Sequence, residues 1–326
     1  MNYEEKLMLR RTLIYLSQAD WARSLVSKSK FAWKTASRFV AGDDLEDAIK
    51  AIQLLNSNGV RATVDHLGEN TESIELAKKA ASDIVEIFSR INQTGIKANV
   101  SVKLTQIGLT LDPDLCFEHI LQIVNTAKQQ DNFVRIDMED SDRLPKTLEI
   151  FHKLLDLGYT NVGIVIQSYL YRSEQDIISA MEDGGRVRMC KGAYREPPDV
   201  AFPKKTDVDG NYDKLVDVML AESKKIIDKQ IDNRDFYPPY VAIATHDMQR
   251  IEYAKDAIKR AGVSRDNVEF QMLYGIRRDL QTQLVNDGYS LRIYVPYGVE
   301  WYPYFMRRLA ERPANLWFFI SNFFRG

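Results

Sequence analysis

The sequence predicts an α/β protein, a (βα)8 barrel preceded by an N-terminal helical arm. Two observations predict it. From Gly59 onward, short apolar runs alternate with amphipathic stretches eight times. Repeated units of this kind make a parallel sheet, and right-handed crossovers repeated eight times close most simply into a barrel. In addition, no G-x-G-x-x-G follows the first apolar run. That removes the dinucleotide signature of the runner-up, an open doubly wound sheet.

The arm covers residues 1–58. Leu7, Leu9, Leu13, Leu16, Trp21, Leu25, Phe31, Trp33 and Phe39 are spaced like helix faces, not like alternating strands. Asp43 and Asp44 are candidate caps for a helix over Leu45–Leu55, and Asn58-Gly59 closes it. Residues 59–326 form the barrel domain. Strands are expected at Val60–Val64, Ala98–Leu104, Phe133–Met138, Val162–Gln167, Arg186–Cys190, Val241–Thr245, Val268–Met272 and Leu291–Val295. Helices are expected near Glu72–Ile91, Leu115–Gln129, Pro145–Leu157, Glu174–Met181, Tyr212–Lys229, Met248–Ala261 and Arg277–Asp287. The last helix carries Tyr304, Arg307, Arg308 and Glu311, which share one face at this spacing.

Composition narrows the function classes. The chain has 326 residues, 45% hydrophobic and 28% charged, enough for a large core. A net charge of −2 with no basic segment points away from nucleic acid. Cys116 and Cys190 make neither a disulfide framework nor a metal cluster, and no H-E-x-x-H or C-x-x-C is present, so no metal is expected. The first ten residues are too charged for a signal peptide, and no apolar run reaches the ~20 residues of a spanning helix. A cytoplasmic protein is expected, in contact with a membrane only at its surface.

In a barrel the site lies at the C-terminal ends of the strands. Those ends carry Asp65, His66 and Glu69; Lys103; Asp137 and Met138; Gln167; Arg188, Lys191, Gly192, Ala193 and Tyr194; Thr245 and His246; Gln271; and Tyr294. Each has a bland role available: Asp65 as a helix cap, His246 as a core histidine, Lys103 as a snorkelling side chain. Together they place a polar group at every strand end, which chance would not do. Lys103, Arg307 and Arg308 offer positive charge to one small anion, most simply a carboxylate.

The segments RVRMCKGAYRE, ATHD, VEFQMLYG, RIYVPYG and YFMRRLAERPAN, in this order, resemble proline dehydrogenase. The resemblance covers residues 59–315 and is to the monofunctional bacterial enzymes. It implies a distorted (βα)8 barrel of the TIM type and FAD-dependent oxidation of L-proline to Δ1-pyrroline-5-carboxylate. That is the first step of proline catabolism to glutamate, with electrons passed to a membrane quinone. By the same resemblance, Arg188 sits near the flavin N5 and Asp137 orients the substrate side of the site through Tyr294. Lys103, Arg307 and Arg308 clamp the proline carboxylate, and Tyr294, Leu273 and Tyr304 wall its ring. Met138, Gln167, Lys191, Gly192, Ala193, Thr245 and His246 hold FAD, and Glu311 braces the arginine pair. Glu69 pairs with Arg188 and acts as a lid. Tyr304 crowds a C4 hydroxyl, so proline is favoured over 4-hydroxyproline. Two positions depart from the family pattern: Asp247 stands where asparagine is common, and His66 where an apolar residue is.

The resemblance also implies peripheral contact at the inner face of the cell membrane and a separate pyrroline-carboxylate dehydrogenase as partner. The tail LWFFISNFF, with Trp317, Phe318, Phe319, Phe323 and Phe324, suits either a membrane surface or the packing of a final helix. Two other readings remain open. One is a lyase on the same barrel with Lys103 or Lys191 as Schiff base; the other is a carboxylate binder without turnover.

Overall fold

A computed structural model of the chain describes residues 33, 35–194, 196–226 and 233–311. Its strands are β1 (Arg61–His66), β2 (Ala98–Val102), β3 (Val134–Ile136), β4 (Val162–Gln167), β5 (Arg186–Cys190), β6 (Val241–Ala244), β7 (Val268–Leu273) and β8 (Ser290–Tyr297). They pair in chain order, all parallel, and β8 closes on β1 with Thr63 beside Tyr294 and Asp65 beside Pro296. The helices are α1 (Leu45–Ser57), α2 (Ile74–Thr94), α3 (Pro113–Gln129), α4 (Leu144–Asp156), α5 (Ser173–Glu182), α6 (Lys205–Ile226), α7 (Met248–Ala261), α8 (Arg278–Asn286) and α9 (Trp301–Glu311). The closed barrel expected from the sequence is the fold.

Each strand is two-faced. Val64, Val100, Val134, Ile164, Val187, Ile243 and Ile293 are fully buried and belong to the apolar layer shared with the helices. The alternate positions face inward. On β1, β2, β5, β7, β8 and around β3 they include the polar Thr63, Asp65, Asn99, Ser101, Arg135, Asp137, Arg188, Glu269, Gln271 and Arg292. Strands β4 and β6 present the small or apolar Gly163, Val165, Ala242 and Ala244 there. Hydrogen bonds across the lumen establish the direction. Arg188 on β5 reaches Thr63 on β1, Ser101 on β2 and Gln271 on β7. Room for these side chains comes from β4. A Cβ at Gly163 would lie 2.5 Å from Arg135 Nη1 and 2.7 Å from the Phe133 ring, so only glycine admits the arginine.

Helix starts follow capping chemistry. Of the two acids offered for α1, Asp44 is the cap; its Oδ1 accepts from Asp47 N at 2.9 Å. Ser73 caps α2 and Asp112 caps α3, each through its own side-chain oxygen. Helix α1 buries Ala48, Ile49 and Ile52 in the barrel's own apolar cluster. The segment before it packs elsewhere: Ala36, Phe39 and Val40 join Trp301, Tyr302, Tyr304 and Phe305 of α9 in a second cluster.

Most element ends shift by one to three residues from expectation, and two differences bear on the site. Strand β2 ends at Val102, and a 3-10 turn over Leu104–Ile107 follows Lys103. Helix α6 begins at Lys205, seven residues before the expected Tyr212. Its first turns, KTDVDGN, are polar and show no apolar period; ion pairs of Asp209 with Lys205 and Lys191 hold them. The arm before Trp33 and the aromatic tail from Trp317 to Phe324 lie outside the described residues, as does the end expected for α6 at Lys229.

Candidate active site at the barrel mouth

Groups from three strands, β1, β3 and β8, converge on Lys103 at the end of a fourth, β2. Its Nζ lies 3.0 Å and 3.3 Å from the carboxylate oxygens of Asp65, 3.5 Å from Asp137 Oδ2 and 3.1 Å from the Tyr294 hydroxyl. Tyr294 donates to Asp137 Oδ2 at 2.7 Å, which matches the expected coupling of the two. Asp137 Oδ1 accepts from Ser101 at 2.7 Å and from Arg188 Nη1 at 3.0 Å. Strands β1, β2, β3, β5 and β8 thus contribute to one buried network, because inward positions at the same height of a closed barrel must meet.

Electrostatics sharpen it. Burial opposes the charge of Lys103, but Asp65, Tyr294, Asp137 and Glu69 outweigh burial and hold the amine well above its ordinary range. Lys103 is therefore a fixed cation, which argues against a Schiff-base nucleophile. Burial also opposes ionisation of Asp137, yet Lys103 and Arg188 keep its carboxyl below the usual range. Burial holds Tyr294 protonated, helped by the charges of Asp137 and Asp65.

Above this network lies a second ion pair, Arg307 on α9 with Glu69. Its contacts are 2.6 Å and 3.1 Å, and both side chains are partly exposed. The expected partner of Glu69 was Arg188. The structure corrects that: Arg188 is committed inside the barrel, and Glu69 on the loop after β1 reaches the helix above it. Arg307 also lies 6.0 Å from the centre of the Tyr194 ring, and Arg308 lies 5.0 Å from that of Tyr304. Leu273 and Tyr294 pack against the cluster that contains Tyr304. The side chain of Glu311 lies outside the described residues.

The remaining predicted positions lie along the ends of β3 to β7. Gln167 donates to the carbonyls of Met138 and Glu139 at 3.2 Å and 2.9 Å and accepts from Ala193 N at 3.3 Å. Gly192 has φ +110, and a Cβ there would lie 2.5 Å from the Tyr169 ring. Lys191 pairs with Asp209 and, at 2.7 Å, with Asp247. Asp247 also caps α7, so this departure from the family pattern has a structural role. Thr245 Oγ1 accepts from Asp247 N, and His246 Nε2 accepts from Leu273 N at 2.9 Å. His66 stacks on Tyr297 with ring centres 5.1 Å apart; burial lowers its pKa and favours the neutral ring.

Sequence reasoning placed Asp65 at a strand end, with a helix cap as its only named role, and missed Ser101, Thr63, Asn99, Glu139, Glu269 and Arg292. The usable signal was the alternation in RATVDH, ANVSVK and RIYVP, whose strands a parallel sheet would otherwise make uniformly apolar. Glu139 accepts from Thr105 N and Thr105 Oγ1, and burial pushes its carboxyl up to about 7.

Fold and site together define a (βα)8-barrel protein with a buried, charge-paired pocket at its C-terminal mouth and an arginine helix across it. The family model described as proline dehydrogenase matches residues 48–320, and the chain belongs to that family. It is 41% identical to proline dehydrogenase 2 of Bacillus subtilis strain 168, over 96% of this chain and 97% of that one. It is also 41% identical to a proline dehydrogenase of Deinococcus radiodurans, over 90% of this chain and 91% of that one. Among solved structures, proline utilization A (PutA) from Bdellovibrio bacteriovorus, inactivated by N-propargylglycine, is 25% identical with a TM-score of 0.75. That match covers 85% of this chain but spans only 32% of the longer one.

Proposed function

We propose that this chain oxidises L-proline to Δ1-pyrroline-5-carboxylate with FAD as cofactor and a membrane quinone as final electron acceptor. The observation that carries the reading is the buried set Lys103, Asp137, Arg188 and Tyr294 beneath the Arg307–Glu69 pair. A small zwitterion needs a cation for its carboxylate and a closed, oriented pocket for the rest.

The donor set suits FAD. Arg188 is a buried guanidinium at the centre, Thr245 and His246 end the neighbouring strand, and Lys191, held by Asp209 and Asp247, would be the cation to turn to a diphosphate. The segment Lys191–Tyr194 is half-buried where the strand before it is buried, so these groups face the open mouth. When bound, FAD supplies the hydride acceptor that no side chain provides.

Lys103 anchors the substrate carboxylate, joined by Arg307 once Glu69 yields it. Glu69 and its loop then act as a lid that keeps water from the reacting carbon. Tyr294 is fixed by Asp137 and walls the ring with Leu273 and Tyr304. The place of Tyr304 favours proline over 4-hydroxyproline.

The visible spectrum of the purified chain, recorded before and after anaerobic L-proline, tests this. A flavin band that bleaches with proline supports cofactor and substrate together. A flavin band indifferent to proline removes the substrate, and no band after added FAD removes the cofactor.

A further inference from the structure

Asp65 has no part in the reaction above, yet it is 0% exposed and both its oxygens face Lys103. Lys103 is also the cation offered to a ligand's carboxylate. Before any ligand arrives the pocket is balanced, with Lys103 and Arg188 against Asp65 and Asp137. A ligand carboxylate adds a third negative charge in a site closed to water, where like charges repel with little screening.

We propose that Asp65 is a positioning residue that yields its charge to the ligand: binding of a carboxylate at Lys103 is coupled to uptake of one proton by Asp65. The proposal rests on the reading of Lys103 as the carboxylate anchor. The choice between the two acids follows from their partners. Asp137 accepts from Ser101, Arg188 and Tyr294 as well as Lys103, which fixes it as the anion. Asp65 leans chiefly on Lys103, the same group the ligand engages. Burial and then the charge of Asp137 push the Asp65 carboxyl above its ordinary range, against the pull of Lys103.

Other groups face this spot. Glu69 stands above Lys103, and Tyr297 and His66 adjoin Asp65. Burial keeps Tyr294 and Tyr297 protonated already, and it opposes the cationic form that His66 would take on gaining a proton, so none of the three is the acceptor. Glu139, at about 7, is the competing one.

The sign is definite. A bound anion raises the pKa of Asp65. Below the free-site value Asp65 is already neutral, and binding is tight without uptake. Between the free and bound values uptake approaches one proton. Above the bound value uptake ceases and binding is weakest.

The test is calorimetric titration of the full chain, with FAD added, by cyclopentanecarboxylate, a five-membered ring acid without an amine. Buffers of different ionisation enthalpy at pH 5 to 9 report the protons taken up. Expected are uptake near one proton and a Kd that weakens by up to about tenfold per pH unit through that window. Asp65→Asn removes the uptake and keeps tight binding at every pH; a merely structural role would move neither. Glu139→Gln keeps the uptake, which holds the proposal open to test even if Asp65→Asn does not fold. The proposal is overturned by zero uptake in the unaltered chain, by uptake that survives in Asp65→Asn, or by uptake lost in Glu139→Gln. Absence of binding, or unchanged binding in Lys103→Met, overturns the anchor reading and this proposal with it. Uptake failing while Lys103→Met abolishes binding overturns this proposal alone.

Discussion

Arg292 and Lys103 are both buried cations inside one barrel, each about 3 Å from a carboxylate, and they are built for different ends. Arg292 Nε meets Glu269 at 2.9 Å, and its other nitrogens bond the carbonyls of Ala62, Asp235 and Arg234. The planar fork is held in every direction, which suits a fixed strut. Lys103 is a point charge shared by three side chains, those of Asp65, Asp137 and Tyr294. A point charge can change partners without losing a geometry, which suits a site that must accept a ligand. Depth in the barrel separates the two roles: the lower pair closes the floor, and the upper one lies under the mouth.

The largest effect expected is on the lower pair. Glu269→Ala strands the charge of Arg292 and should cost about 3–5 kcal/mol, read as a lower urea midpoint. A loss under about 1 kcal/mol would mean that the backbone carbonyls alone satisfy Arg292, and the contrast with Lys103 would collapse.

Glu139 sharpens the comparison because Thr105, not a cation, supplies its hydrogen bonds. Its carboxyl rises from 4.5 to about 7 in the folded chain, so the folded state holds the proton more tightly. Stability should therefore fall as pH rises between these values, by about 3 kcal/mol in all, and level off above them. Urea melts at pH 5 and pH 8 measure this, and Glu139→Gln should erase most of the difference.

On the upper network, Lys103→Met should lower kcat/KM for L-proline roughly 100-fold while leaving the lower pair intact. Steady-state kinetics beside a melt separates the two effects; an equal loss of stability and activity would make Lys103 another strut. The smallest change expected is Glu69→Ala, about tenfold in kcat/KM with little effect on stability, because the Arg307 pair is partly exposed. An unchanged kcat/KM there would remove the lid role.

Much of this was readable without coordinates. Apolar runs of strand length, separated by helical periods, placed all the strands to within a few residues, because each run must be buried on its outward face. Strands at Val162–Gln167 and Arg186–Cys190 and the helix at Met248–Ala261 have the expected bounds. The start of α6 was not legible, since ion pairs to a distant lysine and not an apolar face stabilise it. Lys103 and Asp137 were legible as candidates because each directly follows a strand, and Arg188 and Tyr294, inside β5 and β8, because RVRMCKGAYRE and RIYVPYG carry the family resemblance.

What the sequence determined by itself is the set of inward positions, since alternation along a strand is a local property of extended backbone. Which of those side chains meet was decided only by closure of the barrel. Strand stagger sets the height at which Asp65 faces Lys103, and that stagger is absent from any single segment. The same holds for Glu69. Its spacing on the loop is compatible with either arginine, and only the path of α9 over the mouth brings Arg307 within reach while the lumen keeps Arg188.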